Sequence, residues 1–277
     1  MAEAKLGGST VKVEFDEGIA WVYLNRPEKR NAMSPTLNTE MTETLEALEI
    51  DERCKVLVLT GAGDAFSAGM DLKEFFRESD VKPVEEWMQI ARQATVWQLD
   101  RLKWFPKITI AMVNGWCFGG AFNPVVSCDI AVAADDATFG LSEINWGIIP
   151  AGNVLRSVAS RMRETDGLYY ALSGDTFTGK DAARMGLVTF SHPKAELKAK
   201  TREMALKLGA KNRSAARGIK HAYRKMQEMS WTGSEDYLMA KLDQHRLLDP
   251  DQGRQKGMNQ FLDEKSYRPG LGDYKRK

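Results

Sequence analysis

The chain has 277 residues, 39 lysines and arginines against 38 acids, a formal net charge of +1 and 43% hydrophobic residues. That length sustains one large domain, or a domain with an appendage, without disulfide support. The even charge balance argues against a dedicated nucleic-acid binder, and no run approaches the roughly 18 apolar residues of a membrane span, so neither nucleic acid nor membrane is an expected partner.

The amino terminus, MAEAKLGGST, lacks the apolar core of a signal peptide, which places the chain in the cytoplasm as an expectation. Cys54, Cys117 and Cys128 form an odd set without C-x-x-C spacing and read as buried thiols. His192, His221 and His245 are far apart and lack H-E-x-x-H spacing, so no metal site is expected.

In chain order, VKVEF and IAWVYL flank Asp16-Glu17-Gly18 and read as a hairpin. After NRPEKRNAM, Ser34 is an N-cap and Pro35 a first helical residue. Leu37, Met41, Leu45 and Leu48 then share one face of a helix that ends near Asp51. KVLVLTG is a buried strand, GAGDAFSAGMD a glycine-rich loop, Pro83 to about Trp104 a long helical segment and ITIAMV the next strand. A short helix enters at Gly119-Gly120 and runs to Cys128, DIAVAA is a further strand, and residues 135–153 form a long irregular connection. Strands alternating with helices make this an α/β chain.

From Lys194 onward the pattern is helical, with Leu197, Met204, Ala205 and Leu208 in one stripe and SEDYLMAKLDQHRLL in another. The expected division is 1–200 for the core and 201–277 for a carboxy-terminal helical region, which could pack on its own core or on a neighbouring subunit. The ending SYRPGLGDYKRK reads as a frayed tail.

Several motifs fail. Gly61 and Gly63 follow a strand, but Phe66 stands where a dinucleotide loop needs its third glycine. No G-x-x-x-x-G-K-[ST] loop occurs, and AFSAG lacks the first glycine of a nucleophile elbow. Gly119 and Gly120 sit where a backbone must approach something closely, either a packed neighbour or a ligand.

Four segments in order, NRPEKRNAM, SAGMDLKE, VNGWCFGGAF and ATFGLSEINWGIIP, resemble the crotonase (enoyl-CoA hydratase/isomerase) superfamily over nearly the whole chain. Within it they are most similar to the hydroxycinnamoyl-CoA hydratase-lyases. The resemblance implies a crotonase-like spiral of ββα units with a C-terminal helical oligomerisation region. It also implies hydration and retro-aldol cleavage of feruloyl-, coumaroyl- or caffeoyl-CoA to an aromatic aldehyde and acetyl-CoA.

Carried over by residue, the Met70 and Gly120 amides would hold the thioester oxygen, and Glu143 would be the acid and base. Leu141, Ile144 and Trp146 would shield that carboxylate; without the resemblance it reads as a solvated loop acid. Asn123 stands where many hydratases carry a second glutamate; its amide could orient a water but not act as a base. Phe75, Trp146, Tyr237 and Met239 would meet the acyl group, with Phe75 and Met239 at positions where tyrosine is expected; Tyr237 otherwise reads as a helix-face core residue.

Coenzyme A, as part of the substrate, would contact Lys29, Ala32, Ala68, Asp71 and Leu72, although Lys29 beside Arg30 equally reads as solvated. Homotrimers or pairs of trimers are the implied assembly. The alternatives are a hydratase without carbon–carbon cleavage, a lyase for another aryl-enoyl-CoA, and an acyl-CoA-binding scaffold.

Overall fold

The chain opens with a hairpin. Val11–Asp16 (β1) and Ile19–Leu24 (β2) pair antiparallel, and Glu17 and Gly18 between them both adopt positive φ, the geometry of a two-residue turn whose twist suits the strands. The computed structural model describes residues 6–268 and 272–273. Eight strands follow in the same unit: Val56–Gly61 (β3), Ala65–Ser67 (β4), Ile108–Val113 (β5), Trp116–Phe118 (β6), Ile130–Ala134 (β7), Thr138–Gly140 (β8), Thr176–Thr178 (β9) and Phe190–His192 (β10).

Two sheets result, ordered β1-β2-β3-β5-β7-β10 and β4-β6-β8-β9. From β2 to β10 the larger sheet is parallel, and its interior strand β3 is buried at every residue, as expected for a strand covered on both faces. Three times a strand of the large sheet leads within a few residues into a short strand of the small one (β3 to β4, β5 to β6, β7 to β8), and a helix comes next. This is the expected spiral of ββα units. Asn114, between β5 and β6, joins two of these turns. Its Oδ1 accepts from Thr60 Oγ1 and Gly61 N, and its Nδ2 donates to the carbonyls of Gly61 and Gly63.

The helices are Pro35–Ile50 (α1), Val84–Thr95 (α2), Phe122–Ser127 (α3), Val154–Ala159 (α4), Glu164–Ser173 (α5), Gly179–Arg184 (α6) and Lys194–Gly209 (α7). Ser34 caps α1 by accepting from Leu37 N, and Pro35 occupies its first turn. At the other end the buried Lys107 ammonium donates to the carbonyls of Leu48 and Asp51, both at 2.7 Å. Leu37, Met41, Leu45 and Leu48 are fully buried together with Trp21, Trp97, Phe66 and Phe122. Trp97 Nε1 donates to Asn38 Oδ1 on α1 at 2.7 Å.

The structure differs from the sequence expectation in several places. The glycine-rich loop contains β4 and the irregular connection contains β8. Both strands have three residues, too few for alternation to reveal. The expected helix after Pro83 ends as a π-helical turn over Val96–Arg101, and a second such turn spans Leu72–Arg77. In these, Leu102 N reaches Trp97 O and Glu78 N reaches Lys73 O, five residues back.

Compact units part after Gly209, and α7, which buries Leu197, Thr201 and Ala205, belongs to the first. The second unit comprises Arg213–Met226 (α8), Trp231–Leu248 (α9), Gly253–Leu262 (α10), and the pair Tyr267–Arg268 (β11) and Gly272–Asp273 (β12). Asn212 caps α8 by accepting from Ala215 N and donates to the Asp249 carboxylate beyond α9. The expected frayed tail thus includes an antiparallel pair; residues 269–271 and 274–277 of it lie outside the described residues.

Candidate active site

Arg26 is the organiser of the first two segments. Its guanidinium is buried. Nη1 donates to Ala32 O at 2.8 Å and to Asp71 Oδ2 at 2.9 Å, and Nη2 pairs with Glu74, so one side chain binds the 25–33 turn to the 67–74 loop. Asn31 adopts φ +57°, donates from Nδ2 to the carbonyls of Ala62 and Ala65, and accepts from Arg26 N on Oδ1. Sequence reading named neither residue as functional; the signal was present in NRPEKRNA but needed the partner loop to interpret it.

Asp71 accepts from the amides of Lys73 and Glu74 and so caps the 72–77 turn. Burial pushes its carboxyl up, but the Glu74 amide, Arg26 and the Lys73 amide outweigh that and hold it below the usual carboxylate range. Among the expected coenzyme A contacts, then, the Asp71 side chain is committed to the protein. The Ala32 amide donates to Lys29 O and its carbonyl accepts from Arg26, while Ala68 N donates to Arg30 O. Lys29 and Leu72 are exposed beside them. The Arg30 guanidinium stacks on the Trp116 ring, 4.1 Å from its centroid.

Met70 forms an isolated parallel bridge with Met33: Met33 N donates to Gly69 O, and Asp71 N donates to Met33 O. In such a bridge Met33 bonds on either side of Met70, which leaves the Met70 amide directed away from it. A Cβ built on Gly69 would lie 2.7 Å from Phe118 O and 3.4 Å from Gly120 N, and one on Gly120 would lie 3.1 Å from Met70 Cγ. The two loops therefore touch at the positions expected for the amide pair. Gly120 is the second residue of a 3-10 turn, Gly119–Ala121, that leads into α3; the first N–H groups of such a segment have no partner within it.

Glu143 lies on the 3-10 turn Ser142–Trp146, closed by Gly147 at φ +69°. Its Oε1 lies 2.8 Å from where a Cβ on Gly119 would stand, and its Oε2 is buried without a hydrogen-bond partner among the described residues. Burial raises its pKa, offset in part by its own backbone amide. Of the three residues expected to shield it, only Leu141 is buried. Ile144 and Trp146 are exposed because their turn is a surface one, and the Gly119 backbone forms a wall against the carboxylate instead. Gly119, at φ +50°, is thus excluded from bearing a side chain twice over, by backbone and by acid.

Asn123 on α3 is buried and occupied. Nδ2 donates to Gly152 O at 2.7 Å and Gln98 Oε1 at 3.2 Å, and Oδ1 accepts from Ser157 Oγ at 2.9 Å. Phe75 lies on the 72–77 turn with its ring edge-on to Phe76. Tyr237 and Met239 belong to α9 of the second unit, where Tyr237 is half-buried under the Lys241 ammonium and Met239 is exposed. No group of three His, Cys, Asp or Glu side chains suited to a metal occurs among the described residues.

The sequence model of the enoyl-CoA hydratase/isomerase family matches residues 14–268. A hydroxycinnamoyl-CoA hydratase-lyase from Pseudomonas fluorescens is 57% identical over 96% of this chain and 97% of its own length. A 2,3-dehydroadipyl-CoA hydratase from Escherichia coli (strain K12) is 30% identical over 93% of this chain and 97% of its own. Among solved structures, an enoyl-CoA hydratase from Mycobacterium smegmatis is similar at a TM-score of 0.83 and 26% identity, covering 92% of this chain and 96% of that one.

Proposed function

Because the chain belongs to the enoyl-CoA hydratase/isomerase family, we propose that it hydrates hydroxycinnamoyl-CoA thioesters and cleaves the product to an aromatic aldehyde and acetyl-CoA. The observation that carries this reading is the Glu143 carboxyl, with its Oε2 buried and its Oε1 set against the backbone of Gly119, whose neighbour Gly120 meets Met70. Likeness to the 57% identical hydroxycinnamoyl-CoA hydratase-lyase selects the substrate class.

In this mechanism the amides of Met70 and Gly120 donate to the thioester oxygen, which gains charge as water adds to the β-carbon. Glu143 removes a proton from that water and delivers it to the α-carbon, giving the β-hydroxyacyl-CoA. Glu143 then takes the β-hydroxyl proton, the bond between the α- and β-carbons breaks, and the aldehyde forms. The electron pair of that bond becomes the acetyl-CoA enolate, held by the same two amides until Glu143 protonates its carbon.

The raised pKa of Glu143 suits a group that alternates between acid and base near neutral pH. Asn123 supplies no second carboxylate, which favours a one-acid scheme over a two-acid hydration. Phe75 presents an apolar ring and Met239 a thioether, so the para-oxygen of a phenolic substrate gains no phenol hydrogen bond from either.

Lys29, Ala32, Ala68 and Leu72 are the coenzyme A contacts in this reading, with Asp71 holding their loop through Arg26. The protein works in the cytoplasm as a homotrimer or a pair of trimers, with residues 201–277 as the trimerisation region. Exposed Ile144, Trp146, Ile149, Leu168 and Leu172 in the first unit, and Leu238, Leu242, Leu247 and Leu248 in the second, support assembly. No helix among the described residues is long and apolar enough to cross a membrane.

The deciding experiment incubates the protein with feruloyl-, coumaroyl- and crotonyl-CoA and identifies products by mass spectrometry. Vanillin or 4-hydroxybenzaldehyde with acetyl-CoA is the expected result. A β-hydroxyacyl-CoA alone would make the protein a hydratase, and unchanged, bound thioester a scaffold. Light scattering showing a stable monomer would remove the assembly.

A further inference from the structure

Behind the amide pair runs a chain of buried polar side chains that the proposed reaction leaves without a task. Ser157 Oγ on α4 donates to Asn123 Oδ1 at 2.9 Å. Asn123 Nδ2 donates to Gly152 O at 2.7 Å and to Gln98 Oε1 at 3.2 Å. Gln98 Nε2 in turn approaches Met33 Sδ at 3.7 Å and Met70 Sδ at 3.8 Å. Gln98 is 2% exposed and lies on the π-helical turn Val96–Arg101, an irregularity that aims it inward at the cost of regular helix geometry.

The orientation of each amide follows from its neighbours. A carbonyl oxygen and a thioether sulfur only accept, so the NH2 of Asn123 must face Gly152 and the NH2 of Gln98 must face the methionines. That leaves Asn123 Oδ1 for the Ser157 hydroxyl and Gln98 Oε1 for Asn123. A carboxylate at 98 or 123 would set oxygen against an acceptor, a costly arrangement where water is absent.

The far end of the chain is the significant one. The Met70 sulfur that Gln98 holds lies 3.4 Å from where a Cβ on Gly120 would stand, and Met33 Cε lies at the same distance from that point. Those two sulfur-bearing side chains are therefore the packing between the loop of one amide and the loop of the other. Asn123 at the same time fixes Gly152, in a segment where Gly152 and Asn153 both take positive φ.

We infer that Gln98, held by Asn123 and through it by Ser157, is a positioning residue that sets the spacing of the Met70 and Gly120 amides. This rests on reading those amides as the oxyanion donors. It assigns Asn123 to holding Gln98 and Gly152 rather than to orienting a water.

The test is steady-state kinetics on feruloyl-CoA for wild type, Gln98→Met and Gln98→Glu, with thermal melting to verify folding. Gln98→Met keeps the side chain's length and loses its donors. Its kcat is expected to fall about tenfold while KM stays within about threefold, because a misplacement well under 1 Å already costs rate. In Gln98→Glu, protonation restores one donor toward the thioethers, so its kcat relative to wild type at the same pH should rise as pH is lowered. The Gln98→Met ratio should stay flat.

An unchanged kcat in Gln98→Met, or a flat ratio in Gln98→Glu, overturns the inference. Should Gln98→Met fail to fold, Ser157→Ala removes the anchor at the other end; a several-fold loss of kcat supports the chain and an unchanged kcat overturns it. An inactive wild type would remove the proposed function and this inference with it, whereas active wild type with unaffected variants removes the inference alone.

Discussion

Glu143 holds its carboxyl against main chain, and the burial that raises its pKa gives it a part in how both activity and stability respond to pH. The folded state keeps this proton over a window in which the unfolded chain has already released it. The residue's contribution to stability is therefore complete below the ordinary carboxylate range and is lost as pH rises through the raised folded value. Glu143→Gln removes that loss: its Tm should exceed wild type at about pH 8 and converge with it near pH 4, by scanning calorimetry. The same variant should lose at least about 100-fold in kcat, the usual contribution of a positioned acid or base.

Neighbouring glycines separate two kinds of damage. Gly119→Ala forces a Cβ into a left-handed conformation costing about 1–2 kcal/mol and onto the Glu143 oxygen, so both Tm and kcat should fall. Gly120→Ala meets the side chains of two flexible methionines, at 3.1 Å from Met70 Cγ and 3.4 Å from Met33 Cε, and should lower kcat with little change in Tm. The sequence pointed to a close approach at this pair. It could not say that the acid itself crowds Gly119, because residues 119 and 143 meet only through the fold.

Among the elements, the two segments expected to contact coenzyme A are joined by one guanidinium. Removing one partner of a buried ion pair typically costs about 3–5 kcal/mol, so Arg26→Ala should lower the unfolding free energy by that order, read from urea melts. It should also raise KM for the thioester and lower kcat, since the loops that Arg26 holds carry both the expected coenzyme A contacts and Met70.

How far these elements were legible depended on length and locality. The hairpin, α1 with its Ser34 cap, and the strands β3, β5 and β7 follow from turn residues, capping and apolar runs that act within a few residues. The three-residue strands β4, β6 and β8 have too few side chains to display a period, and their pairing is set by the neighbouring spiral turn. The π-helical turns were invisible for a related reason: Val96–Arg101 read as ordinary helix and Leu72–Arg77 was given no element, and only packing around Gln98 and the Asp71–Arg26 pair distinguishes them. Asn123 was noticed as an unusual residue, but its partners Gln98, Gly152 and Ser157 come from three other segments and left no local mark.

At the scale of the molecule, the α/β class and the crotonase-like spiral were readable because four motifs occur in order between Asn25 and Pro150, and the structure forms that spiral in the first unit. The boundary was less legible, since α7 continues the helical pattern of the second unit while packing on the sheet of the first. Cys54, Cys117 and Cys128 are all buried in the first unit, and burial pushes the Cys117 thiol well above its ordinary range. Thiolate-selective reagents should therefore leave all three unmodified in native protein and react only as it unfolds, so the rate of modification tracks the opening of that unit with temperature.

Lys107 carries a different implication for a protein that handles activated acyl groups. Thioesters acylate amines spontaneously when a nitrogen lone pair is free to attack. The Lys107 nitrogen is sealed in the interior, with two of its hydrogens donated to the foot of α1. Exposed amines such as Lys29 and Lys73 are therefore where acylation by the substrate is expected, while the clasp that holds the helix stays out of its reach.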